Sequence, residues 1–135
     1  MVENKKEVRI IIAGCRWFDD FSVLETTVND VISELKQKLS DVSRFTIVSG
    51  AARGADQTGE LYARKYGLPV YRFPADWDAH GKAAGPIRNK QMADFSMSEG
   101  NIGVLVAFWD GESRGTKSMI NLAKQNKLEV HIKRI

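Results

Sequence analysis

Five short runs of β-branched and aromatic residues, spaced by segments of helical periodicity, constrain this chain more than any other feature. Residues 8–13 (VRIIIA), 45–48 (FTIV), 70–73 (VYRF), 102–108 (IGVLVAF) and 128–132 (LEVHI) read as buried strands. Between the first two, Leu24, Val28, Val31 and Leu35 recur at helical spacing, predicting a long amphipathic helix from about residue 22 to about residue 39. Ser22 and Glu25 stand at capping-box spacing at its start. Ala55–Tyr66 reads as a second helix, closed by Gly67 with Pro69 beyond. A third runs from Pro86 to about Ser96, with proline in its first turn, and a fourth from Gly115 to about Asn126. Alternating strands and helices imply a parallel sheet covered on both faces. The expected fold is α/β: a Rossmann-like three-layer α/β/α sandwich with a mainly parallel sheet of about five strands. One connection breaks the rhythm. Residues 74–85 read as a long loop, and such loops inside compact domains are usually functional.

The totals narrow the class. A chain of 135 residues, 43% hydrophobic and 27% charged, is expected to be one domain over 1–135, with residues 1–7 a polar tail. Its single cysteine, Cys15, cannot form an intrachain disulfide, which fits a reducing, cytoplasmic setting. The apolar runs are too short to span a bilayer, and the polar start lacks signal-peptide form. A net charge of +3 permits an anionic ligand but does not argue for nucleic acid. Nothing has metal-ligand spacing.

In an open parallel sheet the ligand crevice lies outside the carboxyl ends of the strands, so the residues just after each strand matter most. Gly14 and Arg16 come after the first. Ser49, Gly50, Arg53, Gly54 and Asp56 come after the second. Asp76 and Trp77, then Arg88 and Asn89, come after the third. Trp109, Asp110, Gly111, Ser113, Arg114, Gly115 and Thr116 come after the fourth. Each segment carries an arginine and an aspartate. Arg53-Gly54 and Arg114-Gly115 both stand at a helix entrance, where small residues admit a close ligand and free amides attract an anion. Arginine adds bidentate recognition of phosphate or carboxylate. Aspartates suit ribose hydroxyls, and Trp17, Trp77 and Trp109 offer faces for a base. The pattern points to a phosphate-and-ribose ligand, a nucleotide or nucleotide derivative.

Other residues carry two readings. Cys15 is either a packed side chain or a nucleophile, and His80 either a solvated loop residue or an acid–base group. Glu60, one turn after Asp56, is either a second cleft carboxylate or the partner of Arg64. His131 reads as structural.

Together, GCRWFDD, VSGAARGADQTGE, GLPVYRFPADWDAHGKAAGPIRNKQM and AFWDGESRGTKSMI resemble the YspA/YpsA-related branch of the SLOG superfamily, over residues 8 to 133. That superfamily includes the lonely-guy phosphoribohydrolases and the Smf/DprA proteins, and members of this branch occur in bacteria and phages. The resemblance implies a Rossmann-like fold and a nucleotide-type site at the strand ends. Gly115-Thr116 match the Pro-Gly-Gly-x-Gly-Thr turn of the lonely-guy enzymes, but Lys117-Ser118-Met119 stand where their catalytic glutamate would be. Arg88-Asn89-Lys90-Gln91-Met92 matches their Arg-Lys-x-x-Met segment. Ligand binding, as a sensor or ligand-processing domain without cofactor, is therefore the leading expectation. The alternative is an N-glycosidase acting on nucleoside phosphates, with Arg88 fixing phosphate and Asp76 or Glu60, or else Asp56 or Asp110, supplying the carboxylate. Single-stranded DNA binding of the Smf/DprA kind is disfavoured by weak charge and by arginines gathered at one cleft. Enzymatic relatives often dimerise, so a homodimer is also expected.

Overall fold

The structure, a computed structural model, describes residues 6–135. Its elements run β1 (Lys6–Gly14), α1 (Phe21–Lys38), β2 (Val42–Ser49), α2 (Ala55–Tyr66), β3 (Val70–Arg72), α3 (Trp77–His80), α4 (Ala84–Met97), β4 (Ile102–Trp109), α5 (Arg114–Gln125) and β5 (Glu129–Arg134). All four strand pairings are parallel, in the order β3-β2-β1-β4-β5. The chain is thus a Rossmann-like α/β fold, as its alternating pattern predicts.

The two-residue period of a strand explains how both faces are covered. Val8, Ile10 and Ile12 of β1 share one core with Val104, Val106 and Phe108 of β4. Leu24, Val28, Val31 and Leu35 of α1 and Tyr62 and Ala63 of α2 cover that face. Ile11 and Ala13, with Leu105 and Ala107, belong to the other core, under Met92 and Ala93 of α4 and Met119, Ile120 and Ala123 of α5. Ile10, Ile11, Ile12 and Leu105 are all fully buried. Burying each such side chain contributes about 1.5–3 kcal/mol. Strand β4 is therefore apolar throughout and β1 from Ile10 to Ala13, because both their faces are inside there.

Three local expectations are corrected. The cap of α1 is Asp20, not Ser22: its carboxylate accepts from the Val23 amide, and the helix begins at Phe21. Glu25 instead pairs with Lys65 and Tyr66 on α2. The span 74–85 is not a plain loop. Asp76 caps the short α3 by accepting from the Ala79 amide at 3.0 Å, and a 3-10 turn over Gly81–Ala83 leads into α4. Lys6 and Glu7, expected in the polar tail, belong to β1, and residues 1–5 lie outside the described part.

Glu7 is buried because three donors meet it: Arg9 Nε, Arg44 Nε and Thr46 Oγ1. Burial raises its pKa, and the hydrogen bonds from Arg9, Thr46 and Arg44 overcome that and leave it lowered. Arg9 in turn lies 3.8 Å from the centre of the Phe95 ring and donates to the Phe95 carbonyl at 2.7 Å. This network ties α4 to the amino end of the sheet. The opposite end is left for loops.

Candidate functional site

The chain leaves β1 toward β2 on one side, and β4 lies on the other. The carboxyl ends of β1 and β4 are therefore the point where the winding reverses, the usual place for a ligand in such sheets. A cavity of about 520 Å³ opens there. Its wall is drawn from the β1 turn, the α2 entrance, α3, α4 and the α5 entrance. That volume falls within the ~300–1,000 Å³ usual for small-molecule sites.

Close backbone packing makes the floor. A Cβ on Gly14 would lie 2.3 Å from the Phe108 carbonyl, so only glycine lets β1 turn against β4 there. The Cys15 amide then donates to the Phe108 carbonyl, and the Cys15 carbonyl accepts from the Ala55 amide. Gly54 has a φ of +82°, and a Cβ on it would lie 2.4 Å from the carbonyls of Cys15 and Arg16. The entrance of α2 is thereby docked onto the β1 turn. Cys15 is buried, and burial raises its thiol pKa, the direction of an unreactive packed cysteine.

The α5 entrance is open instead. Asp110 accepts from the amides of Glu112 and Ser113, each at 2.9 Å, and these hold its pKa down to about 2. Ser113 caps the helix through the Thr116 amide and bonds the Thr116 hydroxyl at 3.0 Å. The amides of Arg114 and Gly115 then have no intrahelical acceptor. A Cβ placed on Gly115 would meet nothing within 4 Å. This is the geometry of an anion-accepting helix end.

Helix α4 bridges the two turns. Arg88 donates to the Gly50 carbonyl and to Asn89 Oδ1. The buried Asn89 reaches the Gly115 carbonyl at 3.5 Å. Beside Arg88 stands Asp56, which is 6% exposed and accepts from the Ala52 amide at 3.2 Å. Burial pushes its pKa up to about 6, against the opposing pull of the Ala52 amide, Arg88 and Arg16. Burial also lowers the pKa of Arg88, with Arg16 adding to it. Three guanidinium groups, Arg16, Arg88 and Arg114, thus share the wall with two carboxyls, Asp56 and Asp110. Arginine stays charged at any relevant pH, so the excess positive charge favours an anion.

Of the residues expected at the site, Gly14, Arg16, Asp56, Trp77, Arg88, Asn89, Asp110, Ser113, Arg114, Gly115 and Thr116 line this cavity. The rest stand elsewhere. Arg53 is exposed and off the wall, because the Gly54 turn docks α2 against β1. Ser49 and Gly50 are buried behind it. The Ser49 hydroxyl donates to Glu60 at 2.6 Å, and Arg88 and Asp56 pack on Gly50. Glu60 pairs with Arg72 at 3.2 Å, and neither the cavity nor Arg64 takes its carboxylate. Asp76 is occupied as the α3 cap, and His80 is exposed and away from the wall. Trp109 packs against both cores and donates to the Ser113 carbonyl at 3.1 Å, so its role is to brace the α5 turn. Gly111, at φ +87°, packs on Arg134. His131 pairs with Glu129 on β5.

The wall also includes Trp17, Cys15, Ala52, Met92 and Met119. Met92 lies four residues after Arg88, and Met119 three after Thr116, so helical spacing from the polar residues could have found both. Among the described residues no group of His, Cys, Asp and Glu side chains could hold a metal, and no helix is long and apolar enough to cross a membrane.

Comparison with known proteins agrees with this architecture. The model of the YspA, cpYpsA-related SLOG family (YAcAr) matches residues 8–80, which run from β1 through α3. Gene 61 protein of Mycobacterium phage D29 is 32% identical over 127 residues, 90% of this chain and 93% of that protein. No solved structure matches the chain. With a Rossmann-like sheet, a cavity at its winding reversal and a family match over more than half its length, the chain belongs to the YspA, cpYpsA-related SLOG family.

Proposed function

We propose that this cavity binds a nucleotide or nucleotide-derived ligand through its phosphate and ribose, as a sensor or ligand-processing domain. The observation that carries the reading is the meeting of Arg16, Arg88 and Arg114 with the open α5 entrance on one cavity. Phosphate belongs at the Arg114 and Gly115 amides, with Arg88 beside it. Asp56 and Asn89, on the same wall, would take ribose hydroxyls. A thermal-shift screen over nucleotides, NAD and ADP-ribose species tests this. A stabilising ligand lost in Arg88→Ala and Arg114→Ala is expected. A flat screen with the wild-type protein refutes it.

A second reading, hydrolysis of the base–ribose bond, is favoured by one specific feature. Asp56 is a buried carboxyl whose pKa of about 6 suits proton transfer near neutrality. It takes the place that Asp76 and Glu60, both engaged outside the cavity, would otherwise fill. Incubation with nucleoside monophosphates and NAD should release free base from wild type and not from Asp56→Asn. No release at high protein load eliminates hydrolysis while leaving ligand binding intact.

A further inference from the structure

We propose that Trp17 and Trp77 form a stacking subsite for a planar heteroaromatic base at the mouth of the cavity. The ligand would then be a nucleotide that carries its base, not a bare sugar phosphate. The inference rests on the phosphate-and-ribose reading above and adds the third part of the ligand.

The three tryptophans divide sharply. Trp109 is built into the cores, whereas Trp17 is 61% and Trp77 50% exposed, and both line the cavity. Large apolar rings left in water at a cavity mouth mark a surface that a ligand covers. Trp17 is also held by its edge. The Trp17 indole N–H points to Asp110 Oδ2 at 3.4 Å, and its ring meets Phe18 edge-on at 6.3 Å. Phe18 is itself stacked on the buried Phe108 at 4.9 Å, so Trp17 stands on a fixed support. The tip of Trp77 lies over Gly85 of α4, 3.5 Å from where a Cβ would be, so the glycine leaves room for that ring. The exposed faces of Trp17 and the Trp77 face turned away from Arg16 are what a base needs.

Arg16 joins this subsite to the phosphate end. It adjoins Trp17 in the chain, and its guanidinium lies over the Trp77 ring at 5.9 Å. It also acts electrostatically on Asp56 and Arg88. One arginine therefore spans the aromatic mouth and the charged interior, the path a nucleotide would take from base to phosphate. Stacking tolerates any base, so the subsite selects for the presence of a base more than for its identity.

The test compares ribose 5-phosphate with the four common nucleoside 5′-monophosphates by calorimetry on wild type, Trp17→Ala, Trp77→Ala and Trp77→Phe. At least one nucleotide should bind about tenfold or more tighter than ribose 5-phosphate. Each alanine variant should lose most of that margin while binding ribose 5-phosphate as wild type does, and Trp77→Phe should keep it. Melting temperatures show that the variants are folded. If ribose 5-phosphate binds as tightly as every nucleotide, or the alanine variants weaken both ligands equally, the base subsite is wrong and the phosphate site stands. If neither ligand class binds, the phosphate reading fails and the subsite falls with it.

Discussion

Replacing Asp56 with asparagine should make the protein more stable at neutral pH, and the structure sets the size of the effect. Asp56 is 6% exposed and receives one backbone hydrogen bond, from Ala52. Burial raises its pKa from the ordinary 3.8 to about 6 even with Arg88 and Arg16 pulling the other way. At about 1.36 kcal/mol per tenfold change, that rise corresponds to about 3 kcal/mol of native-state cost when the carboxyl is ionised. The sign comes from proton binding. Between pH 4 and 6 the native state holds a proton that the unfolded state has released, so stability falls as pH rises through this window and levels off above it. Below pH 4 both states are protonated and the cost vanishes. That cost is already net of the attraction to the two arginines, and asparagine keeps an acceptor for the Ala52 amide while carrying no charge, so the gain is about 2–3 kcal/mol at pH 7.5. For a chain of this length that is about 7–10 °C in Tm. Urea melts of both proteins at pH 4, 5, 6 and 7.5 measure it. The two curves should converge at pH 4 and separate by pH 7. A variant less stable than wild type at pH 7.5, or a gap independent of pH, would refute the claim that Asp56 is held ionised against its burial. A residue that lowers stability at the working pH is what a functional site predicts.

Gly54→Ala should destabilise by about 2 kcal/mol or more, measured by urea melts, because the new methyl would enter the carbonyls of Cys15 and Arg16 at a positive φ. Glu7→Ala should cost about 3–5 kcal/mol, since it leaves the buried Arg9 without its carboxylate. Loss of the Glu7 contribution should also appear in the wild type as pH falls through the lowered pKa, because a depressed carboxyl stabilises only while ionised. Cys15, at 2% exposure, should react with a thiol reagent far more slowly in the native protein than in urea-unfolded chain, and equal rates would show that it is accessible. Arg53→Ala should leave ligand affinity within about twofold of wild type, whereas Arg114→Ala should cost about tenfold or more, because only the second side chain reaches the cavity wall.

The strand and helix pattern was legible in the chain because local periodicity encodes it. Residues 10, 11 and 12 are all isoleucine because β1 is buried on both faces, and Leu24, Val28, Val31 and Leu35 repeat every turn because α1 covers one of them. The four carboxyl-end segments were legible for the same reason: parallel strands all end at one edge, so the residues just beyond each strand gather there. The exceptions were competitions between equivalent local signals. Asp20 and Ser22 could each cap α1, and Asp20 has the side chain that reaches Val23. The α3 cap at Asp76 was not legible because a helix of four residues is too short to show a period.

The sequence alone therefore determined the sheet, its ligand edge and the residue types gathered there. Tertiary structure decided which of those residues face one another. Arg53-Gly54 and Arg114-Gly115 look alike in the chain. Yet Gly54 is pressed against the β1 turn and its arginine stands off the cavity wall, while Gly115 faces open space. Glu60 and Asp56 lie one turn apart, yet one pairs with Arg72 and the other is buried beside Arg88. The physical reason is that charge and glycine are local properties, whereas desolvation and partnership depend on atoms brought in from distant segments. Only the packing of α2 and α4 around the end of β1 made Asp56 a carboxyl with a pKa of about 6.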